Sequence, residues 1–358
     1  MSTMETATEL SPIELRPLPA QPLVSILVSN YNYGRFIADS IKSALDQTYS
    51  NIELVICDDG STDDSVQIIE EYARRDSRLH LIRKQNGGQA SGFNAAFAAS
   101  RGEIIALLDS DDLFLPHKVE RIVADFQAHP DSGLSVHRII RVSVDLRRQG
   151  VWPMSDPLPA GWWGSRMLRD GGIMPCTPPT SGISLRRDVA ERLFPLPLER
   201  PLVSCPDQLI LRLAPFLTNV TREDEALSSY RLHSSNNYGP DRVTAESFQR
   251  EIAYAEALWG AQKGFLATID PRLAEDFAPL AQHPYIVFIT YLQARLARAP
   301  DVRRQYDRLV ASFTTDARYV WFWKISIYLP LPVFDFCINL LIRQSWLKQL
   351  LSRLKRMS

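Results

Sequence analysis

Cysteine is scarce in this sequence, and its few cysteines are far apart. The four residues are Cys57, Cys176, Cys205 and Cys337, and no two of them form a CxxC pair. Zinc sites of the CxxC type and disulfide-rich secreted scaffolds both need closely spaced cysteines, so the spacing argues against both. We therefore expect a reducing compartment, the cytoplasm.

The sequence also lacks an excess of charge of either sign. It has 40 Lys and Arg residues against 41 Asp and Glu residues, which gives a net charge of -1 over 358 residues. A nucleic-acid-binding protein that relies on an overall positive field would be basic, so nucleic acid is not an expected partner.

Long apolar runs are missing as well. One of the two longest uncharged stretches, residues 277–294, is interrupted by Gln282, His283 and Pro284, so it does not predict a membrane-spanning helix. Residues 1–21 contain acids and prolines but no apolar core of a signal peptide, and we expect them to form a disordered leader.

Apolar runs and segments with helical spacing alternate from residue 22 onward. The runs are "LVSILVS", "IELVICDD", "LHLIRK" and "EIIALLD", and the segments that follow them are "FIADSIKSALDQ", "SVQIIEEYARR", "GQASGFNAAFAAS" and "PHKVERIVADFQAH". Strands without polar alternation are typical of a sheet covered on both faces. The pattern predicts an α/β fold with a doubly wound, mostly parallel sheet over residues 22–240. A helical extension is predicted over 241–318, and an amphipathic basic segment over 319–358.

Polar clusters stand at the ends of the four predicted strands. They read "SNYN", "DDGSTDD", "QNGGQ" and "DSDD" in chain order. In open α/β sheets, ligands bind at the carboxyl ends of the strands, which lie along one edge. The four clusters together therefore predict one ligand site.

The "DDGSTDD" cluster has two interpretations. Asp58 or Asp59 accepts hydrogen bonds from a nucleobase or a ribose at the strand end. Alternatively the cluster is ordinary turn chemistry, with Gly60 in the turn and Asp63 capping the helix that follows. Tyr31, at the end of the neighbouring strand, either packs inside the protein or stacks on a base.

The "NGGQ" loop, residues 86–89, opens a predicted helix. Backbone N–H groups and the helix dipole favour an anion at such a position, so the loop with Gly88 is a candidate phosphate contact. Glycine pairs are also common in turns without any ligand.

The "DSDD" cluster places Asp109, Asp111 and Asp112 within four positions. These carboxylates repel one another at neutral pH, and a bound cation would offset the repulsion. Mg²⁺ typically takes one or two carboxylates together with substrate phosphates, so Mg²⁺ or Mn²⁺ beside a diphosphate suits the cluster. The alternative is a solvated acidic loop with Asp112 near the start of the next helix.

Several stretches between about residues 24 and 236 resemble the family-2 nucleotide-sugar glycosyltransferases, which have the glycosyltransferase A fold. They are "VSNYN", "QTYSNIELVICDDGSTDDS", "RKQNGGQASGFNAAFAASRGEIIALLDSDD" and "YRLHSSN". The resemblance implies base and ribose contacts at Ser29, Tyr31 and Asp59. It also implies an acidic metal motif over residues 109–112, in which Asp109 contacts the nucleotide and Asp111 and Asp112 are metal ligands, with Asp111 favoured as the more direct one.

Two further roles follow from the resemblance. "CPDQLILR" is similar to the segment that supplies the family's general base, which points to Asp207. The other interpretation makes Asp207 a cap at a helix start after Pro206. His233 in "YRLHSSNN" is either a further metal ligand beside the diphosphate or a structural residue at a strand end.

The sequence departs from the family pattern at two places. Gly92, Phe93 and Asn94 stand where Ala-Arg-Asn is usual, so an arginine that many relatives place near the nucleotide is missing. Pro206 stands where an acid is common before the base. Neither change alters the acidic motif or Asp207.

The resemblance implies an inverting glycosyltransferase that moves a sugar from a nucleoside-diphosphate sugar to a glycan or lipid-linked acceptor. Two alternatives are a metal-dependent nucleotidyltransferase and a non-catalytic nucleotide-sugar-binding protein. Sugar, base and acceptor are not specified by any motif.

The chain ends in an aromatic and basic segment. It contains Trp321, Phe322 and Trp323, and after Asp335 it has five basic residues and no acid. Such a segment from residue 319 is typical of a helix on a membrane surface, here the inner face. The alternative is a helix that packs on the catalytic domain.

Overall fold

A computed structural model of the chain describes residues 10–153, 157–233, 244–312 and 326–343. The chain divides into two compact units. The first contains the residues up to 165 and residues 176–235, and the second contains residues 166–175 and those from 236 onward.

The first unit is built on a mixed β-sheet. Its nine strands among the described residues are β1 (Val24–Asn30), β2 (Ile52–Asp58), β3 (Leu79–Arg83), β4 (Ile104–Asp109), β5 (Leu113–Phe114), β6 (Ser132–Ser143), β7 (Arg148–Trp152), β8 (Ile183–Arg186) and β9 (Asn219–Leu232). The order is β3-β2-β1-β4-β8-β6-β9-β5, with β7 paired to β6. The first four strands are parallel, as predicted. Beyond them, β8 runs antiparallel to both β4 and β6, and β9 is parallel to β6.

The helices follow the strands in alternation and then dominate the second unit. They are α1 (Gly34–Leu45), α2 (Ser65–Arg75), α3 (Gln89–Ala99), α4 (Lys118–Ala128), α5 (Gly164–Asp170), α6 (Arg187–Leu193), α7 (Pro206–Leu213), α8 (Ala245–Ile269), α9 (Pro271–Asp276), α10 (Pro284–Leu296), α11 (Val302–Ser312) and α12 (Leu331–Arg343). The predicted α/β class with a helical C-terminal extension is confirmed.

The core of the first unit explains why its strands are apolar without alternation. Every residue of β1 and β2 is buried. Ile26 and Val28 of β1 belong to one apolar cluster with Ile37 and Ile41 of α1 and Phe126 of α4. Helices that cover both faces of a parallel sheet remove the side chains of its inner strands from water.

The prediction of a disordered leader is wrong for residues 10–21. Leu10 is buried and Leu18 packs against the core of the first unit. Arg16 forms an ion pair with Asp188 and donates a hydrogen bond to Glu191 at 3.0 Å, both on α6. The acids and prolines of this segment suggested disorder, but its spaced leucines bury enough apolar surface to hold it in place. The preceding residues lie outside the described part of the chain.

The second unit is helical. Phe288 and Tyr291 of α10 and Phe334 and Ile338 of α12 are buried in its apolar core. Phe336, on the same helix α12, is 67% exposed. None of the described helices is long and apolar enough to span a bilayer. The tryptophans at 321 and 323 and the basic residues after 343 fall outside the described residues.

Candidate active site

The carboxyl ends of β1, β2 and β4 meet at one edge of the sheet. Ser29 is the register partner of Cys57 on one side and of Asp109 on the other, and Asn30 is paired with Asp58. The polar clusters that follow these three strands therefore lie side by side. This convergence is what parallel strand ends require, and it creates the candidate site.

Asp58 braces the turn that follows β2. It is buried, and its carboxylate accepts hydrogen bonds from Asn30 Nδ2 at 2.8 Å and from the Ser61 N–H at 2.9 Å. Asp63 accepts hydrogen bonds from the N–H groups of Gly34 and Ser65, at 2.8 and 3.0 Å. These contacts are the turn chemistry of the second interpretation above. A nucleotide contact for Asp58 stays a prediction.

The carboxylate of Asp59 is hydrogen-bonded to the N–H groups of the glycine loop. Its buried carboxylate accepts hydrogen bonds from Gly87 at 3.0 Å and Gly88 at 2.8 Å, and it forms an ion pair with Lys84. Gly88 has φ +90°, and a Cβ there would lie 2.6 Å from Val203 Cγ2, so the position needs glycine. The sequence predicted that these N–H groups face a phosphate, and in the structure the anion that they face is Asp59. Nucleotide contacts of Asp59 and Gly88 through other atoms stay predictions.

Ser29 accounts for one departure from the family pattern. A Cβ at Gly92 would lie 2.1 Å from Ser29 Oγ, so the side chain of Ser29 requires a glycine there. Phe93 is fully buried, and the Asn94 side chain exchanges two hydrogen bonds with the Leu196 backbone, at 2.9 and 2.7 Å. The segment that replaces Ala-Arg-Asn thus serves packing.

Tyr31 projects at the end of β1. It is 45% exposed, beside a strand whose own residues are all buried. This exposure disagrees with the interpretation in which Tyr31 packs inside the protein. A half-exposed ring at a strand-end ligand site is available for stacking on a planar ligand.

The "DSDD" residues form a tight turn. The N–H of Asp112 donates to the carbonyl of Asp109 at 3.1 Å, which closes the four-residue turn. The Asp109 carboxylate accepts a hydrogen bond from Gln89 Nε2 at 2.7 Å. Burial raises the pKa of Asp109, and the charges of Asp111 and Asp207 raise it further. The turn therefore places several carboxylates close together at a buried position, where the ionised form of each is disfavoured.

Asp112 points into the protein. It is fully buried, and its two oxygens accept hydrogen bonds from Ser181 Oγ at 2.6 Å and from the Arg231 N–H at 3.0 Å. Burial raises its pKa, followed by the charges of Asp111 and Asp109. Both oxygens of Asp112 are engaged by the protein, and its predicted metal role stays a prediction.

Asp111 faces His233. Oδ2 of Asp111 lies 2.7 Å from Nε2 of His233, and the two side chains are 10% and 5% exposed. The imidazole stacks on Phe36 with ring centroids 4.9 Å apart, and Tyr33 meets it edge-on at 5.9 Å. The structure thus joins the centre of the acidic turn to the residue that follows β9.

The Asp111 and His233 pair fits a divalent cation. No group of three or more His, Cys, Asp or Glu side chains with metal-site spacing occurs within the described residues. Mg²⁺ needs only one or two protein ligands when substrate phosphates complete its shell. Adjacent ligands of an octahedral ion with bonds of about 2.0–2.1 Å lie about 2.9 Å apart, close to the separation of these two atoms.

Two tyrosines near the cluster were missed by sequence reasoning. Burial raises the pKa of Tyr33, and the charge of Asp111 adds to the effect. Burial also raises the pKa of Tyr230, with a contribution from Asp112. Tyr33 directly follows "SNYN" and Tyr230 is the first residue of "YRLHSSNN", and these positions are the signal that was available.

Asp207 lies in the first turn of α7. The N-cap residue of this helix is Cys205, so Asp207 is not its N-cap as the capping interpretation required. Burial raises the pKa of Asp207, and its charge in turn raises the pKa of Asp109. The candidate base is therefore within electrostatic reach of the acidic turn. Its catalytic role stays a prediction.

Solved structures share this architecture. One is of S. aureus TarS residues 1–349 in complex with UDP-GlcNAc, with a TM-score of 0.50, 16% identity, and coverage of 81% of this chain and 88% of that one. Another is the mannosyltransferase PcManGT from Pyrobaculum calidifontis in complex with GDP-Man and Mn2+, with a TM-score of 0.50, 16% identity, and coverage of 97% and 90%. At this identity the likeness shows a shared fold.

Sequence comparisons also find glycosyltransferases. The model described as Glycosyl transferase family 2 matches residues 25–194, just under half of this chain. An uncharacterized glycosyltransferase of Nostoc sp., alr2836, is 38% identical over 221 residues, which cover 60% of this chain and 66% of the relative. Chondroitin synthase of Escherichia coli is 37% identical over 138 residues, 38% of this chain and 20% of that protein. The chain thus spans a fifth of the synthase and just under two thirds of the Nostoc relative.

Proposed function

We propose that the chain is an inverting glycosyltransferase that transfers a sugar from a nucleoside-diphosphate sugar to an acceptor hydroxyl in glycan synthesis. The observation that carries the proposal is the 2.7 Å approach of Asp111 to His233. Asp207 lies near enough to the same strand edge for its charge to raise the pKa of Asp109. This arrangement supports the proposal because it brings two candidate metal ligands and a candidate base to one site.

Each part of the site has a role in the proposal. Asp111 and His233 would hold Mg²⁺ or Mn²⁺, and the cation would supply positive charge near the diphosphate leaving group. Tyr31 stacks on the base of the donor. Asp207 accepts the proton of the acceptor hydroxyl as that oxygen attacks the anomeric carbon. A raised pKa of Asp207, caused by burial, suits this role because it makes the carboxylate a stronger base.

A donor screen tests the proposal. Nucleotide released from UDP-, GDP- and dTDP-sugars is measured by a luciferase-coupled assay with Mn²⁺ present. UDP-GlcNAc and GDP-mannose are the first donors to test, because proteins of the same fold were solved with them. Release of pyrophosphate from a nucleoside triphosphate would support a nucleotidyltransferase instead. Donor binding without turnover across acceptors would support a binding protein.

We also propose that the second unit contacts the inner face of a membrane, where a lipid-linked acceptor would be found. Phe336 and Tyr328 expose large apolar side chains on and before α12. The sequence that follows this helix carries four basic residues and no acid after position 343. Apolar side chains beside basic residues bind anionic lipid surfaces.

A further inference from the structure

Ser181 contacts both ends of the acidic turn with a single hydroxyl. It lies in the short 3₁₀ turn Thr180–Gly182 that precedes β8. Its Oγ accepts a hydrogen bond from the N–H of Asp109 at 3.1 Å and donates one to Oδ2 of Asp112 at 2.6 Å. Asp109 and Asp112 are the first and last residues of the turn, and Asp111 stands between them.

The direction of both hydrogen bonds is determined by chemistry. A backbone N–H can only donate, so Ser181 must accept from Asp109. Its own hydroxyl proton is then available for Asp112, and alanine at this position would lose both bonds. Ser181 is fully buried, so water does not replace them.

The backbone of Ser181 is itself held from two sides. Its carbonyl accepts a hydrogen bond from Lys118 Nζ on α4 at 3.2 Å and one from Ser228 Oγ on β9 at 2.8 Å. Both donors are fully buried. The backbone that carries this hydroxyl is therefore held in place by α4 and β9.

We propose that Ser181 is a positioning residue for the metal pair. By fixing both ends of the turn, it aims the carboxylate of Asp111 at His233. The inference rests on the proposed function, because it assumes that Asp111 and His233 hold the cation. Residues that orient metal ligands without touching the metal commonly change metal affinity about tenfold to a hundredfold when they are replaced.

Binding of Mn²⁺ alone to the full-length chain tests the inference, with free Mn²⁺ measured by electron paramagnetic resonance. We expect Ser181→Ala to raise the dissociation constant of Mn²⁺ about tenfold or more. Ser228→Ala is the matched control, because it also removes a buried serine hydroxyl that is bonded to Ser181 but leaves the acidic turn untouched. Both variants should lower the melting temperature, and only Ser181→Ala should weaken Mn²⁺ binding.

Asp111→Asn separates this inference from the proposed metal site. If the wild-type chain binds Mn²⁺ and Asp111→Asn binds it more weakly, the result supports the proposed site. Adding Ser181→Ala to Asp111→Asn should then cause little further loss, because the two residues act through one ligand. If Ser181→Ala binds Mn²⁺ like the wild type, or no more weakly than Ser228→Ala, the positioning role is wrong while the site stands. If Asp111→Asn leaves Mn²⁺ binding unchanged, the proposed site is wrong and the inference falls with it.

Discussion

Nε2 of His233 lies 2.7 Å from Oδ2 of Asp111, although 122 residues separate them in the chain. The contact brings the residue after β9 to the turn after β4. Strand β9 is not a neighbour of β4 in the sheet, but it pairs with β5, the strand that directly follows the acidic turn, and this pairing brings the two residues together. It places Asp111 and His233, the two candidate metal ligands, within hydrogen-bonding distance of each other.

The first prediction concerns this pair. His233→Ala removes one of two protein ligands, so the apparent Mn²⁺ concentration for half-maximal activity should rise about tenfold or more. His80→Ala is the control, since His80 is exposed on β3. Equal Mn²⁺ dependence of the two variants would assign His233 to a structural role. Full activity in EDTA would contradict the metal requirement itself.

The second prediction concerns Asp207. If it is the general base, Asp207→Asn should lower kcat about a hundredfold to ten-thousandfold and leave metal-dependent donor binding nearly unchanged, because the base meets the acceptor. Calorimetry of donor binding, melting temperature and turnover should be measured on the same variant. A destabilised but fully active variant would place the base elsewhere.

The third prediction is the pH dependence that follows from burial of Asp207. A general base works deprotonated, and burial raises the pKa of this carboxyl above the ordinary value of about 3.9. Activity should therefore fall as the pH decreases through the raised pKa, so the acid limb of the kcat profile should lie above about pH 4. The residual activity of Asp207→Asn should lack this limb. Persistence of the same limb in that variant would mean that another group titrates.

The fourth prediction tests the N-terminal segment. Leu10→Ala should lower the free energy of unfolding by about 2 kcal/mol, because it removes a buried side chain. Leu198→Ala is the control, since Leu198 is 51% exposed and its replacement should cost less than about 0.5 kcal/mol. Urea denaturation measures both. Identical stabilities would mean that residues 10–21 do not contribute to the fold in solution.

The fifth prediction concerns the membrane. Truncation after Arg318 would remove Phe334 and Ile338 from the core of the second unit, so a truncation after Arg343 is the better probe. It removes four basic residues, each worth about 1 kcal/mol near an anionic surface. Flotation on phosphatidylglycerol vesicles should decrease for this truncation and for Phe336→Glu.

Leu198→Glu is the matched control for Phe336→Glu, because it places the same charge at an exposed leucine of the first unit. It should float like the intact chain. If the intact chain and both altered chains float equally poorly, the membrane proposal is wrong.

The parallel half of the fold could be predicted from the sequence because its signals are local. The strands up to β4 begin and end within two residues of their apolar runs, and α2 has the predicted bounds. The positions of β8 and β9 could not be predicted in this way. Strand β8 enters antiparallel between β4 and β6, and such pairing is decided by contacts between distant segments.

The same limit applies to the site. Asp109, Asp111 and Asp112 are conspicuous because like charges stand together in the chain. Ser181 is an ordinary serine in the sequence, and its role arises only where β8 meets the turn. Asp59 and the "NGGQ" loop show the opposite case. The sequence predicted a ligand contact for each of them, but in the structure the N–H groups of the loop donate hydrogen bonds to the carboxylate of Asp59.

The stacking of His233 on Phe36 has a spectroscopic consequence. The ring planes are inclined by 29° with centroids 4.9 Å apart, so the imidazole protons lie in the shielding region of the phenyl ring current. Their nuclear magnetic resonance signals should be displaced upfield from those of the other five histidines. Diamagnetic Mg²⁺ would shift these isolated signals without broadening them, so the signals of this one side chain would report binding of the cation.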